Sequence, residues 1–176
     1  MLLTGAAQGA HMWEDPGGWW GGHFAYDVSA PRYTGYELSF DAFGTYNAVE
    51  ENLSDLFETN IRHGIWGGGI GLNYFFTRNI GIGADANATD NGGNFIDQVS
   101  GSLLLRLPLG ASGWAPYVYG GGGRGTDPEW EWLGHLGVGM EYRWNPFTGI
   151  FVDGRYVWAD KTFDRLVLRA GFRLIF

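Results

Sequence analysis

Residues Arg165 to Phe176 run R-L-V-L-R-A-G-F-R-L-I-F, and the reading of this stretch decides the fold. Leu166, Leu168, Ala170, Phe172, Leu174 and Phe176 share one parity; Val167, Arg169, Gly171, Arg173 and Ile175 share the other. A period of two is that of a β-strand, whose successive side chains point to opposite faces. One face is wholly apolar and the other carries arginines. A soluble barrel would have to bury those arginines, whereas a membrane barrel is apolar outside and polar within. The stretch therefore predicts a membrane-spanning strand with Leu168 toward lipid and Arg169 toward the lumen.

The same alternation recurs upstream. A first strand over 36–46 puts Tyr36, Leu38, Phe40 and Ala42 outside and Glu37, Ser39, Asp41 and Thr45 inside. A second over 62–75 puts Trp66, Ile70, Leu72 and Tyr74 outside, and Gly67, Gly69, Gly71 and Asn73 inside. A third over 80–89 sets Ile80, Ile82 and three alanines against Gly81, Gly83, Asp85 and Asn87. A fourth over 97–107 places Val99, Leu103, Leu105 and Leu107 outside, Ser100, Ser102 and Arg106 inside. A fifth over 115–124 is read with Tyr117 and Tyr119 outside and Gly120, Gly122 and Arg124 inside. A sixth over 133–144 directs Leu136, Val138, Met140, Tyr142 and Trp144 outward, and His135, Glu141 and Arg143 inward. A seventh over 150–158 has Ile150, Val152, Tyr156 and Trp158 outside and Asp153 and Arg155 inside.

With the last strand the count is eight, and the breaks alternate in character. Those near 77, 110 and 147 are short; those near 54, 92, 128 and 162 are mostly longer and more acidic. Residues 47–61 form the longest, with Glu50, Glu51, Asp55 and Glu58, and the spacing of Leu53, Leu56 and Phe57 predicts a helical turn or two there. Short turns on one side and long loops on the other are the asymmetry of bacterial membrane barrels. In that orientation Tyr36, Tyr74, Trp114, Tyr142, Trp144 and Phe176 gather at the short-turn boundary, and Trp66, Trp132, Tyr156 and Trp158 at the other. Two aromatic belts are what the two interfaces of a bilayer favour.

Composition agrees. The chain has 176 residues, enough for one domain, with 31 glycines and 17% aromatic residues. Glycine at that density without a collagen period suits a crowded barrel interior. The absence of cysteine excludes a disulfide framework and thiolate metal sites. A net charge of −8 argues against a nucleic-acid partner. No apolar run reaches the length of a membrane helix, and a mean hydropathy of −0.14 is uninformative for a barrel, in which only alternate residues meet lipid. Residues 1–34 stand apart from the barrel at 35–176. Met1 to Ala10 is either a signal-peptide remnant or a poorly ordered terminus. The Trp-rich stretch that follows, with Trp13, Trp19 and Trp20, is an interface anchor, a lid on the mouth or a docking segment for an envelope protein partner.

The terminus adds a resemblance. A polar residue, a glycine two on, and two hydrophobic residues closing the chain form the C-terminal insertion signal of bacterial outer-membrane β-barrels, and Arg169, Gly171, Leu174 and Phe176 match it position by position. Over residues 35 to 176 the chain resembles the small OmpA-like and OmpX-like barrels. The resemblance implies an all-β, eight-stranded antiparallel transmembrane up-and-down barrel in the bacterial outer membrane. It also implies surroundings of outer-membrane lipid and lipopolysaccharide, and the barrel-assembly machinery as partner during insertion.

The candidate site is the lumen. Its charged set is Glu37, Asp41, Asp85, Glu141 and Asp153 against Arg106, Arg124, Arg143, Arg155, Arg169 and Arg173. An eight-stranded barrel is just wide enough for side chains to fill, and unpaired buried charge is costly. Arg106, Arg155, Arg169 and Arg173 can reach Glu37, Asp41, Asp85 and Asp153 across so narrow a space. A packed ion-pair plug is therefore expected ahead of an ion path or a small-ligand site. His135 and Glu141 lie about 20 Å apart along one strand and form no direct dyad, though inward Ser39, Ser100 and Ser102 keep a Ser-His-acid set open. Outer-membrane lipid A deacylases would carry a His-x-Ser pair, and none of His11, His23, His63 or His135 begins one. The histidines lack metal-ligand spacing, and Gly120–Gly123 and Gly67–Gly69 precede no helix with a Lys-Ser/Thr, so no cofactor or metal is expected. The acidic loop 47–61 lacks the EF-hand pattern and is read as a solvated surface loop ahead of a Ca²⁺ or Mg²⁺ site. A non-enzymatic structural or surface-interaction protein is the expected function. A subunit of a larger envelope complex is the alternative, with a lipid-modifying enzyme or narrow channel behind it.

Overall fold

A computed structural model describes residues 32–49, 64–89, 96–126, 130–160 and 164–176. They form eight strands: β1 Glu37–Val49, β2 Gly64–Phe75, β3 Ile80–Thr89, β4 Gln98–Arg106, β5 Trp114–Gly125, β6 Glu131–Arg143, β7 Thr148–Ala159 and β8 Arg165–Ile175. Each strand pairs antiparallel with the next, and β8 returns to pair with β1, from Ser39 opposite Ile175 to Val49 opposite Arg165. Closure leaves no free sheet edge, which a barrel in a bilayer requires because lipid cannot satisfy unpaired backbone groups.

The burial pattern is inverted relative to a soluble protein. Outward Val138 and Phe172 are 62% and 67% exposed, while inward Glu141, Arg143 and Arg155 are fully buried. The expected facing holds on every strand except β5. There Tyr117 and Tyr119 are buried in the lumen, and Gly120, Gly122 and Arg124 lie on the outward face. The physical reason is the room on the neighbouring strand. Inward Gly137 and Gly139 lack side chains where a Cβ would come within 2.5 Å of the Tyr119 and Tyr117 rings, so those rings lie in the space the glycines leave. Arg124 therefore leaves the lumen set.

The short turns are closed by side chains. Thr77 Oγ1 accepts from the backbone N–H of Asn79 and Ile80 at 3.2 and 3.0 Å, and Asn145 Oδ1 from those of Phe147 and Thr148, both at 2.8 Å. Such local bonds let two antiparallel strands reverse within a few residues. The helical turn expected around Leu53 to Phe57, most of the long loops and the Trp-rich leader lie outside the described residues. The last part of the N-terminal segment is described, and it packs against the barrel. Tyr36 takes a left-handed backbone (φ 58°), uncommon for a non-glycine residue, and the chain bends there. Tyr33, 3% exposed, lies beneath the short-turn mouth of the barrel.

Candidate functional site: the charged lumen

At the short-turn end, β1, β4, β6 and β8 direct three carboxylates and three arginines into one cluster. Glu37 accepts from Arg106 Nη1 at 2.9 Å and from Arg143 Nη1 and Nη2 at 2.9 and 2.5 Å. Glu141 accepts from Arg143 Nε and, at 2.6 Å, from Arg173 Nη1. Arg173 also grips Asp41 with two bonds of 2.7 Å each, in the forked geometry that makes arginine–carboxylate pairs strong. Asn73 Nδ2 donates to Asp41 at 2.8 Å.

Tyr33 closes this end. Its ring lies 4.2 Å from the guanidinium of Arg143 and 4.7 Å from that of Arg106, and its hydroxyl donates to the Gly113 carbonyl at 2.7 Å. Arg143 Nη1 in turn donates to the Arg32 carbonyl at 2.8 Å. Burial foremost, and the charge of Glu141, push the Tyr33 hydroxyl above its ordinary range, so it remains a neutral donor at physiological pH.

Midway up, Asp153 is held four ways. Arg169 donates Nε and Nη2 at 2.7 and 3.0 Å, and the Tyr117 and Tyr119 hydroxyls donate at 2.6 and 2.8 Å. Toward the long-loop end the lumen becomes sparser. Arg155 Nη1 donates to Asp85 at 3.0 and 3.2 Å and to Ser100 Oγ at 3.2 Å. Arg165 donates to Gln98 at 2.8 Å, and Ser102 Oγ lies 2.8 Å from His135 Nε2. Asn87 Oδ1, Gln98 Nε2, His135 Nδ1 and the Nε and Nη2 of Arg155 have no hydrogen-bond partner among the described residues. An apolar layer of Leu133, Val157 and Val167 lies near this end.

The structure thus brings ten of the predicted lumen charges together and sets one, Arg124, outside. It adds Arg165, Glu131 and Tyr33, which the sequence reading did not place there. The parity of Arg165 with Val167 and of Glu131 with Leu133 was the available signal for the first two. The Ser102–His135 contact was also missed, since the two residues sit on β4 and β6 with β5 between them. It has no triad geometry, because His135 Nδ1 meets no carboxylate among the described residues. A void lined by Asp41, Asp85, Ser102, Tyr119, Arg169 and Arg173 measures about 20 Å³, the space of a single water.

On the outer face, Trp66, Trp132 and Trp158 are exposed toward the long-loop end, and Tyr156 packs on Trp158 at 5.4 Å. Tyr36, Trp114 and Trp144 are exposed toward the short-turn end, where Trp114 packs on Tyr142 at 4.6 Å and Tyr74 on Phe76 at 5.2 Å. Ten residues separate Trp114 from Arg124 on β5 and Trp132 from Tyr142 on β6. At about 3.3 Å per residue and a tilt of about 40°, that is roughly 25 Å along the barrel axis, the height of the apolar band of a membrane barrel.

No protein-family model matches the chain, and no curated protein sequence matches it. Solved structures do. The N-terminal β-barrel domain of Pseudomonas aeruginosa OprF superimposes with a TM-score of 0.61 at 13% identity, over 81% of this chain and 99% of that one. This is the fold of the small outer-membrane barrels. Ail, the attachment invasion locus protein of Yersinia pestis, matches with a TM-score of 0.57 at 14% identity, again over 81% and 99%. A structure from the de novo design of transmembrane β-barrels matches with 0.52 at 18% identity, over 81% and 97%. A designed chain is as similar in sequence as the natural ones, so identities of this size reflect the alternation and turns that any such barrel needs.

Proposed function

We propose that this chain is a non-enzymatic protein of the bacterial outer membrane, a rigid closed barrel that presents its acidic, aromatic loops at the cell surface. The observation that carries the reading is the column of ion pairs from Tyr33 to Arg155 within an apolar outer wall. Charges of both signs, forked to one another, leave little room for a continuous water path, and a pore calls for a wider or single-signed lining. Arg169, Gly171, Leu174 and Phe176 supply the insertion signal, and outer-membrane lipid and lipopolysaccharide surround the belts. Ail has been solved with the heparin analogue sucrose octasulfate. The loops here carry Glu50, Glu51, Asp55, Glu58, Asp127 and Glu129, whose charge disfavours a polyanion of that kind. The Ser102–His135 pair supports no hydrolase, since His135 Nδ1 meets no carboxylate among the described residues and Ser102 faces a void the size of one water.

Expression in a Gram-negative host tests this. The protein should fractionate with the outer membrane as a heat-modifiable band and leave the lipid A mass spectrum unchanged. An altered lipid A would make it an enzyme. A stoichiometric envelope protein recovered on purification from native membranes would make it a subunit of a larger complex.

A further inference from the structure

Arg124 is the one arginine of the described strands that turns away from the lumen. Arg106, Arg143, Arg155, Arg169 and Arg173 are each ion-paired inside, and Arg165 reaches Gln98. Arg124 is exposed on the outward face, between Val99 of β4 and Trp132 of β6 in register. Among the described residues no carboxylate lies within salt-bridge distance of it. Two tryptophans hold it instead: its guanidinium carbon stands 4.5 Å from the Trp132 ring and 5.2 Å from the Trp130 ring. A cation–π contact uses the face of the guanidinium and leaves its N–H edges free to donate. The depth is also defined, because Arg124 lies one apolar band above Trp114, at the headgroup level of the leaflet on the long-loop side.

A guanidinium held between two rings at that depth, with no carboxylate partner among the described residues, matches one chemical group of its surroundings, a phosphate, which arginine binds in a two-pronged geometry. We propose that Arg124, clamped by Trp130 and Trp132, binds a phosphate of lipid A in the outer leaflet. This rests on the outer-membrane reading above.

The test uses the full chain refolded in detergent, with tryptophan fluorescence reporting titration by bisphosphorylated lipid A. Arg124→Gln should weaken binding by about fivefold or more, Arg124→Lys should recover part of it, and Arg78→Gln at the opposite end should change nothing. Wild-type protein should bind dephosphorylated lipid A as weakly as Arg124→Gln binds the phosphorylated form. Equal affinity of wild type and Arg124→Gln overturns the proposal, as does displacement of lipid A by millimolar inorganic phosphate, which would make the site one for the free anion. Insertion into lipid vesicles, read as a heat-modifiable band, is measured alongside. If both proteins insert and bind lipid A equally, only the role of Arg124 falls; if neither inserts, the membrane reading falls and this proposal with it.

Discussion

The two halves of the lumen solve the same problem with different completeness. At the short-turn end, Glu37, Asp41 and Glu141 face Arg106, Arg143 and Arg173, with Tyr33 stacked beneath. At the long-loop end, Arg155 binds Asp85 and Ser100 through one nitrogen while its other two, and atoms of His135, Asn87 and Gln98, find no partner among the described residues. A fully satisfied buried network rigidifies what it holds, and a partly satisfied one holds less firmly. Among the described residues the network is thus most complete at the short-turn end and sparser toward the long-loop end.

Substitutions that keep volume and remove charge measure that difference. The largest effect is expected at Glu141, which serves Arg143 and Arg173 directly and Arg106 at 3.8 Å. Glu141→Gln strands buried cations and should cost about 3–5 kcal/mol in denaturant unfolding from lipid vesicles. Asp85→Asn, in the sparser half, should cost about 1–3 kcal/mol, because Arg155 keeps Ser100 and a neutral acceptor. Equal losses at the two positions would erase the contrast. Tyr33→Phe removes one hydrogen bond to Gly113 while keeping the ring over the arginines, and about 1 kcal/mol should follow by the same measurement. The double replacement of Ser102 by Ala and His135 by Leu should be smallest, within about 1 kcal/mol of neutral, since both partners of one contact are replaced together. A large loss there would show that the upper half is more constrained than its unpartnered atoms indicate.

Most of this architecture was legible in the chain because a barrel writes its facing into alternate residues. Strands β1–β4 and β6–β8 show an apolar parity broken only by Thr148 at the start of β7. On β5 the run Gly120–Gly123 blanks the alternation, and Tyr117 and Tyr119, amphipathic rings at home in a belt or a lumen, suggest the wrong parity. Trp114 holds the deciding signal: outward there, the period of two carries Pro116, Val118 and Arg124 outward with it. What alternation could not give was which inward groups meet across the lumen. Arg155 of β7 reaching Asp85 of β3, and Ser102 reaching His135, depend on the stagger of the closed barrel, which no single strand encodes. Tyr33 was hidden for another reason. It precedes the alternating pattern, and the chain bends at Tyr36 before that pattern begins.

Planar-bilayer recording of the purified protein tests most directly whether charge pairing closes the lumen. The wild-type protein should show no stable single-channel steps across a range of salt and voltage. A reproducible wild-type conductance, changed in size or ion selectivity by Arg169→Ala, would contradict closure by charge pairing and make the lumen a channel.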